Sequence, residues 1–212
     1  MQSQERYEAR KFELSGLQGI SDRTLGVHFK LYEGYVAEAN RIQKVLAGIL
    51  QDGRVDPGEA PGFAELKRHF AFEYNEMVLH ELYFGNLKSG GGGVPPRQSA
   101  FQRAAESAFG SYEAWQADFV ATAKIRGVGW SLCCQDPATR VLSNHWVTLH
   151  EGGVLAGLTP VLVLDVWEHA YLLDYAPAEK ARYIEAFFAN VDWEAVDRRV
   201  VREEGVRLKR VS

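Results

Sequence analysis

The 212-residue chain is 46% hydrophobic and 12% aromatic, which is enough apolar material for one large core or two smaller ones. Its 24 lysines and arginines against 28 aspartates and glutamates give a formal charge of −4, without the basic surplus that a nucleic-acid backbone requires of a partner. No apolar run approaches the roughly 20 residues that span a bilayer, and residues 1–15 lack the apolar core of a secretory signal. We therefore expect no nucleic-acid partner, no membrane partner and a cytoplasmic location.

Two long helices are predicted in the first part of the chain. Apolar and aromatic residues alternate at spacings of four and three, which marks one stripe of an amphipathic helix from Ser21 to about Leu50, with Ser21 or Asp22 able to cap its start. The stripe contains residues 28, 32, 35, 39, 42, 46 and 49. A second helix, from Gly62 to about Leu87, is apolar around much of its circumference and should be packed on several sides. The two helices most simply form an antiparallel hairpin, which we assign to a domain of residues 1–90.

The sharpest break in composition is the glycine- and proline-rich stretch 88–96, and we place a domain boundary there. The second domain is predicted over residues 97–212. Its predicted elements are helices over 98–109 and 111–126, strands over 130–135, 140–149 and 159–164, and a charged helix that begins at Asp192. The fold class is therefore α+β, with a long-helix hairpin followed by helices around a small sheet.

The two cysteines, Cys133 and Cys134, are adjacent in an apolar run. Neighbouring residues have poor geometry for a structural disulfide, and they lack the spacing of a zinc-binding pair. We interpret them as reduced strand residues whose side chains point to opposite faces of the sheet.

Three of the six histidines lie in unusual contexts. His28 opens the apolar stripe of the first helix, and His80 lies on the more apolar second helix; each alone is more often a hydrogen-bonded core residue than a metal ligand. Asp165 follows a buried strand, and His169 comes four residues later, so both side chains can reach one face. A carboxylate there needs a cation or several donors. The alternative is that Asp165 caps a helix that begins at Val166.

Together these residues offer three imidazoles and one carboxylate. Such a set suits manganese, iron or zinc and leaves a position for solvent or substrate. It contains no thiolate that would favour copper(I) or an iron–sulfur cluster. Because zinc permits hydrolysis but no electron transfer, the ligands alone leave both chemistries open.

The run Asp165-Val-Trp-Glu-His-Ala-Tyr171, followed by Asp174-Tyr175, resembles the signature of iron/manganese superoxide dismutases. Other segments of that family recur in the same order, and the resemblance extends from about residue 10 to 205. These segments are residues 21–40, 75–87, 109–112, 127–130 and 191–194 and the glycine-rich linker. The resemblance implies a helical hairpin followed by an α/β domain with a three-stranded antiparallel sheet.

The resemblance also implies roles for individual residues. The metal ligands would be His28, His80, Asp165 and His169, with solvent as a fifth ligand to one iron or manganese ion per subunit. Trp130 and Trp167 would be walls of the metal pocket, and Tyr35 would lie at the mouth of the substrate channel. The outer-sphere donor would be His150, which lies fifteen residues before Asp165, or else His145 after a realignment of the loop. Glu168 would accept a hydrogen bond from the partner subunit's last ligand histidine in a homodimer, which could assemble further into a tetramer.

This chain departs from the family pattern at three places. The channel histidine is replaced by Leu31 or Tyr32, and Leu172 stands where a tyrosine usually meets it from the other subunit. Glu76, four residues before His80, stands where the family has a small residue or Gln. If Glu76 points inward it adds negative charge near the metal; if it points outward it has no role there.

The expected activity is the conversion of superoxide to dioxygen and hydrogen peroxide. The altered channel and Glu76 motivate one rival, a catalytically silent dimeric metal-binding member with a structural or binding role. The third and weakest alternative is a metal-dependent hydrolase.

Overall fold

The computed structural model describes residues 7–153 and 155–200. It begins with two long helices, α1 (Asp22–Ile49) and α2 (Ala60–Phe84), packed as a hairpin. The Ser21 side chain accepts a hydrogen bond from the Thr24 amide and so caps α1. The residues of the predicted stripe lie on the buried side of α1, except that Tyr35 and Ile49 are only half-buried.

Helix α2 ends at Phe84, before the predicted end near Leu87. The chain leaves the helix there because the next residues pair with a distant segment: Leu87 forms an isolated bridge with Val191, and the Lys88 amide donates to the Asn190 carbonyl. The buried Asn86 amide donates to the Val163 carbonyl and joins the end of α2 to the sheet.

The second part of the chain contains a three-stranded sheet with flanking helices. Its elements are α3 (Ala100–Phe109), α4 (Tyr112–Ala123), β1 (Trp130–Gln135), β2 (Leu142–Val147), α5 (His150–Gly153), β3 (Thr159–Asp165), α6 (Lys180–Phe188) and α7 (Trp193–Arg199), with short 3-10 helices at Glu168–Ala170 and Pro177–Glu179. The predicted α+β class and the three-stranded sheet are confirmed. The second predicted strand is shorter than expected, because the chain bends after Val147 and a short helix begins at His150.

The strand order is β2-β1-β3, and both pairings are antiparallel. β1 is buried along its whole length, and it contains both cysteines, which are free and buried. Trp130 at the start of β1 lies opposite Asp165 at the end of β3. The sheet register therefore brings these two side chains to the same end of the sheet, next to the helical hairpin.

Tyrosine hydroxyls join the elements behind this end of the sheet. Tyr183 on α6 donates to the backbone carbonyl of Asp165 at 2.8 Å, and its oxygen lies 3.0 Å from the hydroxyl of Tyr83 on α2. All three residues are fully buried. Among the described residues, no helix is both long enough and apolar enough to cross a lipid bilayer.

Candidate metal centre

Four side chains from four different elements converge between the hairpin and the sheet. His28 comes from α1, His80 from α2, Asp165 from the end of β3, and His169 from the 3-10 helix that follows. One potential ligand atom from each lies within 4.8 Å of the others. Asp165 Oδ2 is at the centre, 3.0 Å from His28 Nε2, 2.9 Å from His169 Nε2 and 3.7 Å from His80 Nε2.

The two oxygens of Asp165 have different partners. Oδ1 accepts a hydrogen bond from the Trp167 amide at 2.8 Å, while Oδ2 faces the three histidines. The capping alternative is wrong, because no helix begins at Val166: Oδ1 bonds an amide of the intervening turn, and the next element is the 3-10 helix Glu168–Ala170 with Trp167 as its N-cap. Burial opposes ionisation, but the charge and hydrogen bonds of His169 and His28 outweigh it and hold the pKa of Asp165 well below its ordinary value.

Two of the histidines, His28 and His80, have an unprotonated ring nitrogen that could bind a metal ion. Burial lowers the pKa of His28 to about 4, against the opposing hydrogen bond with Asp165, so the ring is neutral at neutral pH. His80 Nδ1 lies 2.8 Å from the Glu76 carbonyl oxygen, a contact that requires the proton on Nδ1 and leaves Nε2 free. Nε2 of His80 is buried and has no hydrogen-bond partner among the described residues. An unpaired buried nitrogen that faces a carboxylate oxygen is an arrangement in which both atoms could bind one cation.

His169 differs from the other two histidines. Its side chain is 22% exposed, whereas those of His28 and His80 are almost fully buried. Burial lowers its pKa, but the charge and hydrogen bond of Asp165 outweigh burial, and the net direction is upward. This ring therefore forms the outer edge of the cluster.

Aromatic rings enclose the cluster. The Trp130 ring lies edge-on to His80 with centroids 5.0 Å apart, and the Trp167 ring is stacked 6.1 Å from His169 and 5.3 Å from His150. The indole nitrogens of both tryptophans are buried, and neither has a hydrogen-bond partner within the described ranges. The surroundings of the cluster thus combine apolar ring faces with two unpaired indole donors, an environment that suits a small polar ligand or solvent.

Tyr35 lies beside His80 with ring centroids 5.2 Å apart. Burial and the nearby charge of Glu76 raise the pKa of its hydroxyl, which keeps the group protonated. Tyr32, one of the two residues at the altered channel position, is turned to other partners: its hydroxyl donates to Glu81 at 2.9 Å and accepts from the Arg10 amide.

Glu76 points inward, which the sequence left open. It is 1% exposed, and its carboxylate oxygens lie 2.7 Å from His150 Nε2 and 3.2 Å from His80 Nδ1. Burial opposes its ionisation, but the contacts with His150 and His80 prevail and lower the pKa of the carboxyl. Of the two histidines considered for the outer-sphere position, His150 is buried beside this cluster, while His145 is half-buried on β2 and bonded to Ser143.

Some contacting residues were not anticipated from the sequence. Phe84 packs against the His28 ring at 4.9 Å, and Phe72 packs edge-on to His150 at 4.8 Å. Both stand on the helix predicted to be apolar on many sides, which is the only signal for them in the sequence. Tyr183, which bonds the Asp165 carbonyl, has no such signal because its position depends on the packing of α6.

A shallow pocket lies at the outer edge, next to His169. It has a volume of about 300 Å³. Its lining consists of Arg23, Val27, Glu168, His169, Leu172 and Leu173. Glu168 is exposed, and does not contact the four-residue cluster through any hydrogen bond or ion pair found among the described residues.

Comparisons with known proteins agree with this geometry. The family model described as "Iron/manganese superoxide dismutases, C-terminal domain" matches residues 97–199. The chain is 38% identical over 187 residues to "Superoxide dismutase [Fe]" of Cupriavidus metallidurans, covering 86% of this chain and 89% of that protein. It is also 38% identical to "Superoxide dismutase [Mn] 2" of Haloferax volcanii, over 82% of this chain and 84% of the relative.

A third relative, "Superoxide dismutase [Fe]" of Aquifex aeolicus, is 37% identical over 86% of this chain and 85% of its own length. Similarity at this level over most of both sequences confirms the resemblance found in the sequence motifs. The chain belongs to the iron/manganese superoxide dismutase family.

Proposed function

We propose that this protein is a superoxide dismutase that converts two superoxide ions and two protons into dioxygen and hydrogen peroxide. The observation that supports it most directly is the convergence of three imidazoles and one buried carboxylate within 4.8 Å. Its relatives are superoxide dismutases by name. When bound, an iron or manganese ion supplies the one-electron chemistry by which one superoxide is oxidised and the next is reduced.

The proposed ligands are His28, His80, Asp165 and His169. Several features of these residues support the assignment: His28 is neutral, His80 has its proton on Nδ1, and Asp165 is ionised in a fully buried position. Neutral imidazoles and a carboxylate are ligands that iron and manganese accept. Relatives named for iron and for manganese have nearly the same identity to this chain, so the proposal covers both metals.

The remaining site residues are proposed to control water and protons. Trp130 and Trp167 exclude bulk solvent from the ligands, as their ring contacts with His80 and His169 suggest. Tyr35 and His150 would deliver the two protons that peroxide formation consumes. Their support is that the Tyr35 ring packs beside His80 and that both residues lie next to Glu76.

A homodimer is the proposed assembly. Its support is an apolar surface beside the one partly exposed ligand, where Val27, Leu172 and Leu173 are 48%, 40% and 44% exposed. Arg23 and Glu168 stand at the same surface with opposite charges. A second copy laid on this surface would cover His169 and bring its Glu168 close to it, as in the arrangement expected from the family.

The activity is tested with purified full-length protein reconstituted separately with iron and with manganese. Metal content and superoxide disproportionation are measured on the same samples. We expect one ion per chain and turnover with at least one of the metals. Full occupancy without turnover with either metal would reject the enzyme and favour the silent metal-binding alternative.

The site assignment is tested by Asp165→Ala, with Asp197→Ala on α7 as a matched carboxylate change outside the cluster. We expect Asp165→Ala to lose both metal and turnover, while the Asp197 variant loads its ion at the wild-type ratio. An Asp165 variant with unchanged metal content and rate would refute the assignment. A cytoplasmic location remains a prediction from the sequence, to be checked by cell fractionation.

A further inference from the structure

Before α1 begins, an extended segment, residues 7–12, lies across both helices of the hairpin. We call this segment the strap. The ring of Tyr7 lies 5.7 Å from that of Tyr74 on α2, measured between centroids. The Tyr7 amide donates to the Asn40 side chain of α1 at 2.9 Å, and the Tyr7 carbonyl accepts from the same side chain at 2.8 Å. This end of the strap therefore joins the two helices at a distance from the ligand cluster, twelve residues beyond His28 on α1.

The middle of the strap makes polar contacts with both helices. The Arg10 amide donates to the Tyr32 hydroxyl of α1 at 2.9 Å, and the Arg10 guanidinium lies 3.0 Å from the Glu81 carboxylate of α2. The Tyr32 hydroxyl donates in turn to Glu81 at 2.9 Å. Arg10 thus completes a three-residue cluster that bridges α1 and α2.

The end of the strap nearest the ligands is aromatic. The centroid of the Phe12 ring lies 6.3 Å from that of Phe29 on α1 and 5.2 Å from that of Phe84 on α2. The Phe84 ring packs in turn against His28 at 4.9 Å and against His80 at 5.9 Å. One ring, that of Phe84, therefore connects the strap with two proposed ligands, one on each helix.

The strap is attached less firmly than the helices beneath it. Within the described part of the chain, residues 7–12 form no backbone-to-backbone hydrogen bond with another segment, and their backbone groups bond instead to the side chains of Asn40 and Tyr32. The Arg10 side chain is 69% exposed, so its ion pair with Glu81 adds little stability. A segment with few buried backbone bonds opens at a lower free energy than a core helix. We therefore expect the strap to detach while α1 and α2 remain folded.

We propose that the strap is a latch that controls how fast the metal ion leaves the site. While the strap is attached, Phe12 holds Phe84 against His28 and His80, and the two helices keep the spacing at which both imidazoles reach one ion. When the strap detaches, Phe84 loses the ring that supports it, and the two ligand-bearing helices can move apart. Phe12 is thus a positioning residue that acts through Phe84 and does not touch the ion. This inference rests on the proposed function, because it concerns the same metal site.

The test is the rate at which full-length, zinc-loaded protein releases its zinc to an excess of a chromogenic chelator. Zinc accepts the same imidazole and carboxylate ligands and needs no redox chemistry. We expect Phe12→Ala to release zinc at least about tenfold faster than the wild type, because a packed ring is lost. Phe12→Leu should lie between them, since leucine restores part of the contact with Phe84. A zinc-loaded Phe12→Ala protein with the wild-type release rate would overturn the proposal.

Phe109→Ala is the matched control. Phe109 is also a half-buried phenylalanine that packs on the core, but it lies on α3, outside the hairpin. Urea unfolding of the two metal-free variants shows how much stability each has lost. We expect Phe109→Ala to change the rate of zinc release less than about twofold, because the site is distant. An acceleration equal to that of Phe12→Ala would show a general effect of lost stability and would overturn the proposal.

A second measurement uses only the wild type and so does not depend on the folding of a variant. Hydrogen exchange of the zinc-loaded protein reports how often the amides of Tyr7 and Arg10, which bond to side chains of α1, become free. We expect both to exchange faster than the amides of Val36 and Ala39 in the buried part of α1. Exchange as slow as at those two positions would overturn the proposal, because the strap would then open only with the helix. Neither measurement needs turnover, so a wild type without dismutase activity but with the expected rates would reject only the proposed function.

Discussion

Two kinds of buried acid in this protein respond to burial in opposite ways. Asp165 and Cys133 are both completely buried. The pKa of Asp165 is lowered because His169 and His28 supply charge and hydrogen bonds that exceed the cost of burial, whereas burial raises the pKa of Cys133 because its hydrogen bond from Trp115 is too weak to compensate. The pKa of a buried acid in this protein therefore depends on the groups that contact it more than on how deeply it is buried.

The thiols are therefore predicted to be unreactive in the folded protein. Burial raises the pKa of Cys134 to about 12 and also raises that of Cys133, so neither forms appreciable thiolate near pH 8, the form that reacts with disulfide reagents. The measurement is reaction of native and urea-unfolded protein with a chromogenic disulfide. We expect no rapid reaction in the native state and two thiols per chain after unfolding, and two fast native thiols would contradict it.

At the scale of elements, the residue that leads into β1 determines how closely the neighbouring segments approach one another at the metal centre. Gly129, just before Trp130, has φ 150°, and a Cβ there would lie 2.2 Å from the Val147 carbonyl oxygen. The Gly129 carbonyl accepts from the Val166 amide at 2.9 Å, next to Asp165. The close approach of Gly129 to the segments at Val147 and Val166 thus positions both Trp130 and the proposed ligand Asp165.

Gly129→Ala is expected to destabilise the metal-free protein by about 2–5 kcal/mol. This figure combines the roughly 1–2 kcal/mol of an unfavourable positive φ with the roughly 1–3 kcal/mol of overpacking. The control is Gly110→Ala at the end of α3, where φ is 88° but a Cβ meets nothing within 4 Å, so only about 1–2 kcal/mol is expected. Urea unfolding of both variants measures the difference, and equal losses would show that the contact with Val147 is unimportant.

At the scale of the whole molecule, the described residues bury the ligand cluster on most sides and leave it close to the surface on one side. The ligand cluster is buried on the side of the sheet and the hairpin, but His169 reaches a surface with three exposed aliphatic side chains. Leu172 contributes to this surface, at the position where the sequence resemblance implies a tyrosine. An apolar surface at this place is consistent with an interface that relies more on aliphatic burial than on a polar contact.

Leu172→Glu is predicted to weaken the proposed homodimer at least about 100-fold, because a charge would be buried in the proposed interface without a partner. Light scattering after size-exclusion chromatography measures the mass across a dilution series. The control is Leu50→Glu at the end of α1, where a leucine of similar exposure, 42% against 40%, lies away from this surface. A monomeric wild type, or a Leu172 variant that remains dimeric at every dilution, would contradict the proposed interface.

Much of this protein was determined by local sequence pattern. The stripe on α1 predicts the helix and the buried position of His28, and the buried run before Asp165 predicts the strand that ends at this residue. The spacing from Asp165 to His169 brings both side chains to one place. These features could be predicted because helix and strand periodicity act over a few residues.

Only the tertiary structure decided which way the remaining side chains face. Helix α2 is apolar on many sides, so its sequence does not distinguish the side that meets the sheet, and the inward position of Glu76 becomes visible only when α5 brings His150 to within 2.7 Å. The bend after Val147 likewise ends the second strand two residues before its predicted end and places His150 at the start of α5, while His145 stays within β2. These contacts join residues far apart in the chain, and packing between elements, which local periodicity does not encode, determines them.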